Sequence, residues 1–545
     1  CRIKTLSNND LLDSIRLFIF LCMARITKKF NSATLSKLFD DVVDNIESFI
    51  VQSASFSIKI YSKKGIIDRT VQIIASFEKI NFGREVTKNP IGLNNKLAND
   101  RVINLRRFQY DPRTEKLKIK LFYFILSVAK FFLKWLQIFF VSLVKRDKFL
   151  SGKESPLTLL YGMHSFNLSE IPYRNGFIDF CKKGPIVPLS SANFLIIEGR
   201  NSDNTLFKNE YFLYNKDPIL ALFKAQKLSI TDFFKFSILH LNVFLQYFKL
   251  IISFPIFAIL YDDFAYYSVV NTLNSKRAIK DVILTVGSLS FQPLWMSSIK
   301  DKSFRTHMIW YAKSTIWEYV YKFDKSVYTT RAEFRHIRVD ETWSWTQGFS
   351  NYLKSIGVTG EFHNVGPILF YMPTVEKTPV SNVINIVIFD AIPRKKTVSD
   401  STLGEKNIYT YGSLQNLTDF LKDIISVSEL YGKSVNRTVK LSLKHKRKLH
   451  PWMSREYFDL VNSLLNEHES LEIVPIKVNL YSLIKGADLV LSVPYSSSLY
   501  VSNYLNTLSI FYDPTTTLVP LYEKGDNISF ASGKGELLAR LEELI

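Results

Sequence analysis

The chain has 545 residues, of which 47% are hydrophobic, and its 70 Lys and Arg residues against 50 Asp and Glu leave a formal net charge of +20. This hydrophobic content excludes an intrinsically disordered or collagen-like protein, and at about 150 residues per domain the length predicts three or four folding units. The cysteines Cys1, Cys22 and Cys181 are too few and too scattered for a disulfide framework or a zinc site. We therefore predict reduced thiols and a cytoplasmic location.

The basic balance predicts attraction to polyanions, such as nucleic acid, anionic lipid or nucleotide phosphates, but does not choose among them. A nucleic-acid-binding protein would need cationic stripes with interleaved aromatic residues or a recognisable binding module. The sequence contains no such module, so we expect no specific nucleic-acid partner.

Residues 1–150 predict a mostly helical N-terminal extension. Within it, residues 10–24 have the apolar pattern of a helix, but RITKKF follows them rather than a small-residue cleavage site. This pattern favours a packed helix over a signal peptide.

Residues 117–145 and 232–254 predict two long amphipathic helices, each with a narrow polar stripe opposite a broad face of Phe, Leu and Ile. Lysines interrupt the roughly 20 apolar residues that a membrane span requires. Two interpretations stay open: core helices with solvated lysines, or helices that lie in the interface of an anionic membrane. The stripes consist of Lys120, Tyr123, Ser127, Lys130, Lys134, Gln137 and Lys145 in the first helix, and Lys235, Asn242, Gln246 and Lys249 in the second.

Residues 151–375 predict an α/β domain of uneven regularity, because short apolar runs alternate with longer helical or irregular stretches. The expected strands are 157–161, 194–197, 282–286 and 307–311. Residues 375–383 carry Pro, Ser and Asn with little periodicity, which predicts an interdomain linker.

Residues 384–545 predict a second α/β domain. Continuous apolar strands alternate with helices there, which indicates a parallel sheet that is covered on both faces. We predict strands at 385–389, 438–443, 471–474, 488–491 and 508–512, and helices at 417–430, with Gly432 as a stop signal, and at 455–466, 480–485, 496–505 and 536–544.

Ligands of such sheets bind outside the carboxyl ends of the strands, and one strand of this domain is followed there by Pro494-Tyr495-Ser496-Ser497-Ser498. A helix that starts in this run offers backbone N–H groups and hydroxyl donors, which together suit a phosphate. A lone Ser before a helix is more often an ordinary N-cap. Three consecutive serines favour the phosphate site.

Two other strands of the second domain also end in polar residues. The strand at 438–443 is followed by a basic run in which Lys444 and Arg447 are candidates for neutralising a phosphate, and either His445 or the nearby His450 is the candidate for hydrogen bonding to it. This run is also compatible with a solvated basic turn. Asp513 ends the last core strand, where its carboxylate is a candidate partner for a ribose hydroxyl.

The segment ADLVLSVPYSSSLYVSNYLNTLSIFYDP, with LSLKHKRKLHP upstream, resembles bacterial surface-polysaccharide biosynthesis proteins that carry a PFTS motif. The motif falls on residues 494–497, with Tyr for Phe and Ser for Thr, and the resemblance extends over about residues 280–515. It implies an α/β, GT-B-like fold with two Rossmann-type domains that face a cleft, preceded by the helical extension. It also implies that residues 384–545 bind the nucleotide-sugar donor and residues 151–375 the acceptor.

GT-B transferases generally work without a bound metal, so the resemblance implies no metal and no cofactor besides the nucleotide-sugar substrate. The acceptor hydroxyl then needs a general base from the first α/β domain. The candidates are His164 after a predicted strand, Asp262 and Asp263 in a Tyr-Asp-Asp run, and Glu341 close to two tryptophans. Each also has a structural interpretation: a loop histidine, a helix cap and a solvated acidic turn.

The leading hypothesis is a glycosyltransferase of bacterial surface-polysaccharide biosynthesis that uses a glycan or lipid-linked acceptor at the cytoplasmic face of the membrane. A CMP-activated keto-sugar acid is slightly favoured as donor, because similar transferases hold CMP with a Ser pair and a basic strand end. The alternatives are an inactive sugar-binding protein of the same fold and a basic nucleic-acid-binding protein.

Overall fold

The computed structural model describes most of the segments with a regular sequence pattern. The described residues are 43–51 apart from 45 and 49, 60–74, 103–104, 107–111, 116–143, 157–164, 194–198, 211–213, 218–226, 228–285, 292–299, 301–310, 319–321, 332–367, 382–393, 413–445, 453–476, 478–494, 496–520 and 527–545. The helix predicted at 10–24 and residues 375–381 of the linker predicted at 375–383 lie outside these residues, and Val383, the last residue of that linker, begins a strand instead. The domain boundaries therefore stay predictions.

The described part of the N-terminal extension combines helices with a small antiparallel sheet. Its strands are β1 (Ile103–Asn104), β2 (Phe108–Asp111) and β3 (Lys116–Ile119). Helix α1 (Leu121–Leu143) starts directly afterwards. The predicted start of this helix at 117 was wrong, because Lys116–Ile119 alternates polar and apolar residues with the period of a strand.

Residues 218–275, in the first α/β domain, form a group of helices. They are α2 (Pro218–Ala225), α3 (Ile230–Ser253), a 3-10 turn (Pro255–Leu260) and α4 (Tyr261–Ser275). Helix α3 begins at a capping box, in which the Ser229 hydroxyl accepts from the Asp232 N–H and the Asp232 carboxylate accepts from the Ser229 N–H. Helix α4 packs against both α1 and α3.

The first α/β domain contains a seven-stranded parallel sheet. In chain order its strands are β4 (Leu157–His164), β5 (Phe194–Glu198), β6 (Tyr211–Leu213), β7 (Ile279–Thr285), β8 (Arg305–Ile309), β10 (Arg338–Ser344) and β11 (Thr359–Asn364). Counted within the sheet, the spatial order is 3-2-1-4-5-6-7. The short helices α5 (Leu294–Ser298), α6 (Ala332–Arg335) and α7 (Gln347–Ser355) belong to the same domain.

The second α/β domain contains a six-stranded parallel sheet of order 3-2-1-4-5-6. Its strands are β12 (Val383–Phe389), β13 (Thr438–Lys444), β14 (Leu471–Ile473), β15 (Leu489–Ser492), β16 (Ser509–Asp513) and β18 (Ile528–Ser532). Its helices are α8 (Leu414–Ser434), α9 (Arg455–Glu467), α10 (Leu480–Lys485), α11 (Ser498–Tyr504) and α12 (Lys534–Leu544). This strand order is that of a Rossmann-type sheet.

The predicted α/β class with two Rossmann-type domains is thus confirmed. Two predicted boundaries were wrong. Gly432 does not end its helix, because α8 continues to Ser434. A Cβ at Gly432 would meet Arg437 O and a Val439 methyl group at 2.9 Å, so this glycine serves close packing rather than helix termination. Helix α11 starts at Ser498, not at residue 496.

A short antiparallel ribbon joins segments on the two sides of the predicted linker. Strand β9 (Tyr319–Tyr321) pairs with β17 (Leu518–Pro520), and Val320 lies opposite Val519. The ribbon connects the segment after β8 to the segment after β16.

Candidate active site

The candidate active site lies where the strand order of the second sheet reverses. Strands β12 and β15 are neighbours there, with Phe389 opposite Ser492. Asp390 directly follows β12, and the serine run follows β15. Because ligands of open parallel sheets bind at this switch point, outside the carboxyl ends of the strands, these two segments mark the edge where a ligand is expected.

Asp390 holds the predicted His445 in place. His445 follows the last residue of β13, and its Nδ1 lies 2.5 Å from Oδ2 of the fully buried Asp390. The Tyr457 hydroxyl donates to the same oxygen at 2.9 Å. Burial beside Asp390 raises the pKa of Tyr457, so this hydroxyl stays protonated as a donor. A carboxylate at Nδ1 assigns the ring proton to that nitrogen.

The second ring nitrogen of His445 has no partner in the part of the chain that the structure describes. Its Nε2 is buried and forms no hydrogen bond among the described residues. With Nδ1–H donating to Asp390, the neutral ring presents Nε2 as an acceptor, and the protonated ring presents it as a donor. A buried ring nitrogen without a partner favours a ligand contact over a purely structural role.

The serine run is partly accessible at the switch point. Ser496 and Ser497 are half-buried, and Pro494 and Ser498 are buried. Ser497 is the N-cap residue of α11, but its side chain makes no capping hydrogen bond, whereas the hydroxyls of Ser496 and Ser498 lie 2.6 Å apart. The ordinary N-cap, the simpler interpretation of the sequence, therefore does not hold for Ser497, whereas the Ser496 hydroxyl accepts from the Ser498 N–H at 3.4 Å. Tyr495 lies outside the described residues.

Lys444 is placed differently from the prediction. Its buried Nζ donates to the carbonyl oxygens of Pro475 at 3.1 Å and Ile476 at 3.0 Å, which ties β13 to the segment after β14. Burial lowers the pKa of Lys444. This geometry replaces the predicted phosphate contact with a structural role. Arg447 and His450 lie outside the described residues.

Asp513 is also a structural residue. It is fully buried, and its carboxylate accepts from the Thr515 N–H at 2.9 Å, the Thr515 hydroxyl and the Leu518 N–H at 3.0 Å. These bonds close a turn between β16 and β17. The predicted ribose contact is therefore replaced by a turn-forming role.

Of the predicted bases, His164 lies at the carboxyl end of a strand. It is the last residue of β4, where it pairs with Glu198 of β5. Strand β4 lies between β5 and β7, and the strand order of the first sheet reverses between β4 and β7. His164 therefore lies at the switch point of its own sheet.

Asp263 and Asp262 begin α4. Asp263 is buried and accepts from the Leu294 N–H, and Arg69 Nε lies 3.4 Å from its Oδ2. These contacts make Asp263 an anchor between helices, and the predicted role as a base is not supported. Asp262 is exposed, and the surrounding protein together with the charge of Asp263 raises the pKa of its carboxyl group.

Glu341 belongs to a buried network inside the first sheet. His307 lies between two carboxylates, with Nε2 at 2.9 Å from Asp281 and Nδ1 at 3.1 Å from Glu341. Trp343 Nε1 donates to Glu341 at 3.2 Å. Glu341 lies within β10 and is paired on all sides, so the structure supports a structural role and not the predicted base. Trp343 and the neighbouring Trp345 are buried and are not available for stacking on a sugar.

The described residues include one group with the donor types of a metal site. Glu47, Asp68 and His336 have ligand atoms within 4.8 Å of one another. Two guanidinium cations lie beside these carboxylates: Arg335 pairs with Glu47, and Arg338 pairs with Asp68. These cations balance the carboxylates, so the group is better described as an ion-pair network that joins helix 63–74 to the start of β10.

A cavity of about 330 Å³ lies at the opposite edge of the second sheet. Gly432, Arg437 and Thr438 line it at the amino end of β13. His445 follows the carboxyl end of the same strand, so this cavity is separate from the candidate site.

Sequence reasoning missed Asp390 and Tyr457. The sequence places Asp390 directly after a buried strand, and this position was the available signal. Nothing in the sequence shows that β12 lies between β13 and β15, or that Tyr457 of α9 reaches the same carboxylate.

A family model described as "Polysaccharide biosynthesis PFTS motif protein" matches residues 245–541, which is more than half of the chain. The chain therefore belongs to this family, and the recognition made from the sequence is confirmed. The match includes Asp390, His445 and the serine run. A search of the curated proteins gives no match.

Several solved structures are similar to the chain. A UDP-GlcNAc 2-epimerase from Methanocaldococcus jannaschii is 10% identical with a TM-score of 0.36, over 72% of this chain and 92% of that one. The wall teichoic acid polymerase TagF is 9% identical with a TM-score of 0.34, over 78% and 89%. A UDP-glucose:anthocyanidin 3-O-glucosyltransferase is 9% identical with a TM-score of 0.36, over 72% and 90%. At these TM-scores no residue role is transferred from them.

Proposed function

We propose that this member of the PFTS-motif family is a glycosyltransferase that moves a sugar from a nucleotide-sugar donor to a glycan or lipid-linked acceptor, on the cytoplasmic side of the membrane. One observation carries the proposal: Asp390 and the serine run follow the two strands that meet at the switch point of the second sheet, and His445, which bonds Asp390, has a buried Nε2 with no hydrogen bond among the described residues. Family membership supports polysaccharide biosynthesis as the process.

In this proposal the protein stabilises the leaving nucleotide with its own groups. The hydroxyls of Ser496 and Ser497 donate to phosphate oxygens, and the protonated His445 donates from Nε2. Asp390 holds the ring in place, and the hydrogen bond from Nε2 strengthens as negative charge develops on the leaving phosphate. The stabilisation proposed here requires no metal ion.

His164 is the base that we propose for the acceptor hydroxyl. It lies at the switch point of the first sheet, whereas Asp263 and Glu341 are engaged in buried contacts. Asp262 is the second candidate because it is exposed. Replacement of each by Ala, with transfer and donor binding measured separately, distinguishes them, since loss of a base lowers turnover and leaves donor affinity unchanged.

The donor class is tested by thermal shift with CMP, UDP, GDP and their sugar conjugates. We expect one nucleotide class, with CMP first in line, to raise the Tm. The double variant Ser496→Ala/Ser497→Ala should lose most of this shift. Ser463→Ala removes a hydroxyl that bonds Glu467 on the exposed side of α9 and is the matched control.

Three outcomes would contradict the proposal. If no nucleotide raises the Tm and the protein instead binds nucleic acid with a steep salt dependence, the chain is a polyanion-binding protein. If a nucleotide sugar binds but is neither transferred nor hydrolysed, the chain is a sugar-binding protein of the same fold. If the double serine variant responds as the wild type does, the nucleotide binds elsewhere.

A further inference from the structure

Helices α1 and α3 expose an unusual number of large apolar side chains. Both are long and apolar enough to cross a membrane, and they are the two such helices among the described residues. We define their exposed apolar residues as the apolar face. It consists of Leu121, Phe122, Ile125, Phe132, Leu133, Phe140 and Leu143 of α1, and Ile230, Phe234, Ile238, Leu241, Leu245 and Ile252 of α3.

The opposite side of the helix pair is fixed to the protein. Phe131 of α1 stacks on Tyr247 of α3 at 4.0 Å. Trp135 Nε1 donates to the His240 carbonyl, while the His240 ring bonds Ser268 of α4 through Nδ1 and the Trp135 carbonyl through Nε2. The two helices are therefore held in one orientation on α4.

The exposed residues of the two helices form one continuous surface. At 100° per residue, those of α1 fall within an arc of about 120° and those of α3 within about 80°. The arc of α1 adjoins Trp135, and the arc of α3 adjoins Phe244 and Phe248. The two helices meet through these residues, because Trp135 contacts Phe244, and Phe248 contacts Phe131 of α1. The apolar face is thus a single patch that spans both helices.

Two lysines of the α1 polar stripe lie beside the start of α4. Lys130 and Lys134 lie over the rings of Tyr261 and Tyr266 at the start of α4, at 5.6 and 4.6 Å. The broad apolar side that the core-helix interpretation buries is largely exposed. Leu133, for example, is 66% exposed. This exposure does not fit the interpretation as core helices. It favours the interpretation in which the helices lie in the interface of a membrane.

The charges beside the apolar face indicate the chemistry of that partner. Lys235 and Lys249 are exposed along the outer edge of α3, and Lys130 is exposed along that of α1. Asp232 is the one acidic residue of these two helices, and it is paired with Lys276 at 2.8 Å. A second copy docked on the same face would bring like charges together, whereas an anionic lipid surface complements them.

We propose that the apolar face of α1 and α3 is the surface by which this protein docks on an anionic membrane, with both helices in the plane of the interface. The apolar side chains enter the boundary between headgroups and acyl chains, and the flanking lysines meet lipid phosphates. Because each helix packs on α4 along the side opposite the apolar face, only one side is free to meet lipid. The pair therefore lies on the membrane and does not cross it. The inference is independent of the proposed function.

Flotation of the full chain with vesicles tests this proposal. We expect binding to phosphatidylcholine vesicles that contain 30% phosphatidylglycerol and weaker binding to phosphatidylcholine alone. Leu133→Glu/Ile238→Glu should reduce the binding by at least tenfold, and Lys235→Glu/Lys249→Glu should reduce it several-fold and weaken its salt dependence. Leu430→Glu, at a 55% exposed leucine of α8, is the matched control and should bind as the wild type does.

All three variants change exposed residues, so an unchanged Tm shows that a loss of binding is not a loss of folding. The proposal is overturned if the wild type does not bind, or if Leu133→Glu/Ile238→Glu binds as well as Leu430→Glu. A wild-type dimer that the same variant dissociates would identify a second copy as the occupant. Resistance of the membrane-bound protein to alkaline carbonate would instead identify a spanning pair and overturn the in-plane arrangement.

Discussion

The first and second sheets share the strand order 3-2-1-4-5-6, yet their acidic residues and histidines lie at different positions along the strands. Asp281, His307 and Glu341 lie within strands of the first sheet and pair with one another in a buried network, in which Asp281 Oδ2 forms no hydrogen bond among the described residues. Asp390 and His445 lie one residue beyond strands of the second sheet, and one nitrogen of the His445 ring forms no hydrogen bond to any residue that the structure describes. Both sheets thus combine a histidine with carboxylates. The position relative to the strand end is what separates a structural network from a candidate site.

The largest expected effect concerns the stability of the first sheet. Asp281→Ala removes a fully buried carboxylate that pairs with His307 and Arg305. We expect a loss of about 3–5 kcal/mol in the free energy of unfolding, because the remaining charges lose their partner in the interior. Urea unfolding measures it, with Asp281→Asn as a milder variant. If stability is unchanged and donor binding is lost, the network is part of a site after all.

The corresponding change in the second sheet is expected to affect catalysis. His445→Ala should lower sugar transfer by about 10²–10³-fold, or about 3–4 kcal/mol of transition-state stabilisation, because the leaving phosphate loses a charged donor. The control is His468→Ala, which removes a partly exposed histidine of the same domain that pairs with Glu429. Equal activity of the two variants would contradict the assignment of the site.

Acidification should destabilise the packing of α1, α3 and α4 around His240. Burial lowers the pKa of His240 to about 4, from 6.5 in the unfolded chain. Because the unfolded state takes up the proton first, stability is lost as the pH falls below 6.5, by about 2 kcal/mol between pH 7 and pH 5. His240→Gln keeps hydrogen-bonding groups without this titration and should show a flatter dependence of unfolding free energy on pH. An identical dependence in both proteins would show that His240 is not the group responsible.

The smallest expected effect distinguishes a hydrogen bond that holds a residue of the site from one that stabilises only the fold. Tyr457→Phe removes a hydrogen bond to Asp390 and should weaken donor binding about fivefold, or about 1 kcal/mol. Tyr512→Phe removes the corresponding bond to Asp423, at 2.6 Å on another side of the domain. Isothermal titration should show a weaker donor complex for the first variant only, with similar losses of stability in both.

The regular elements of the second domain follow from the sequence, and their arrangement does not. The apolar run at 488–491 predicts a strand, and the structure has Leu489–Ser492. Asp390 and His445, in contrast, are 55 residues apart and meet only because β12 and β13 are neighbours. Strand order depends on contacts that are distant in sequence, so no local pattern predicts this pair.

Side-chain partners are the second kind of information that the sequence lacks. Lys444 and Asp513 both follow or end core strands, as ligand-binding residues do, but backbone groups of nearby loops bind them instead. The amphipathic pattern of α1 predicts a helix correctly. It does not predict which stripe faces solvent, because that depends on where Tyr261 and Tyr266 of α4 lie.

The ribbon of β9 and β17 has a consequence for how the molecule can open. Its backbone hydrogen bonds tie the segment after β8 to the segment after β16, and Leu518, its first residue on one side, donates to Asp513. Rotation of one α/β unit against the other must either break this pairing or use it as the pivot. If the pairing holds, the donor proposed above enters by a swing of one unit about the ribbon, and the two units stay connected.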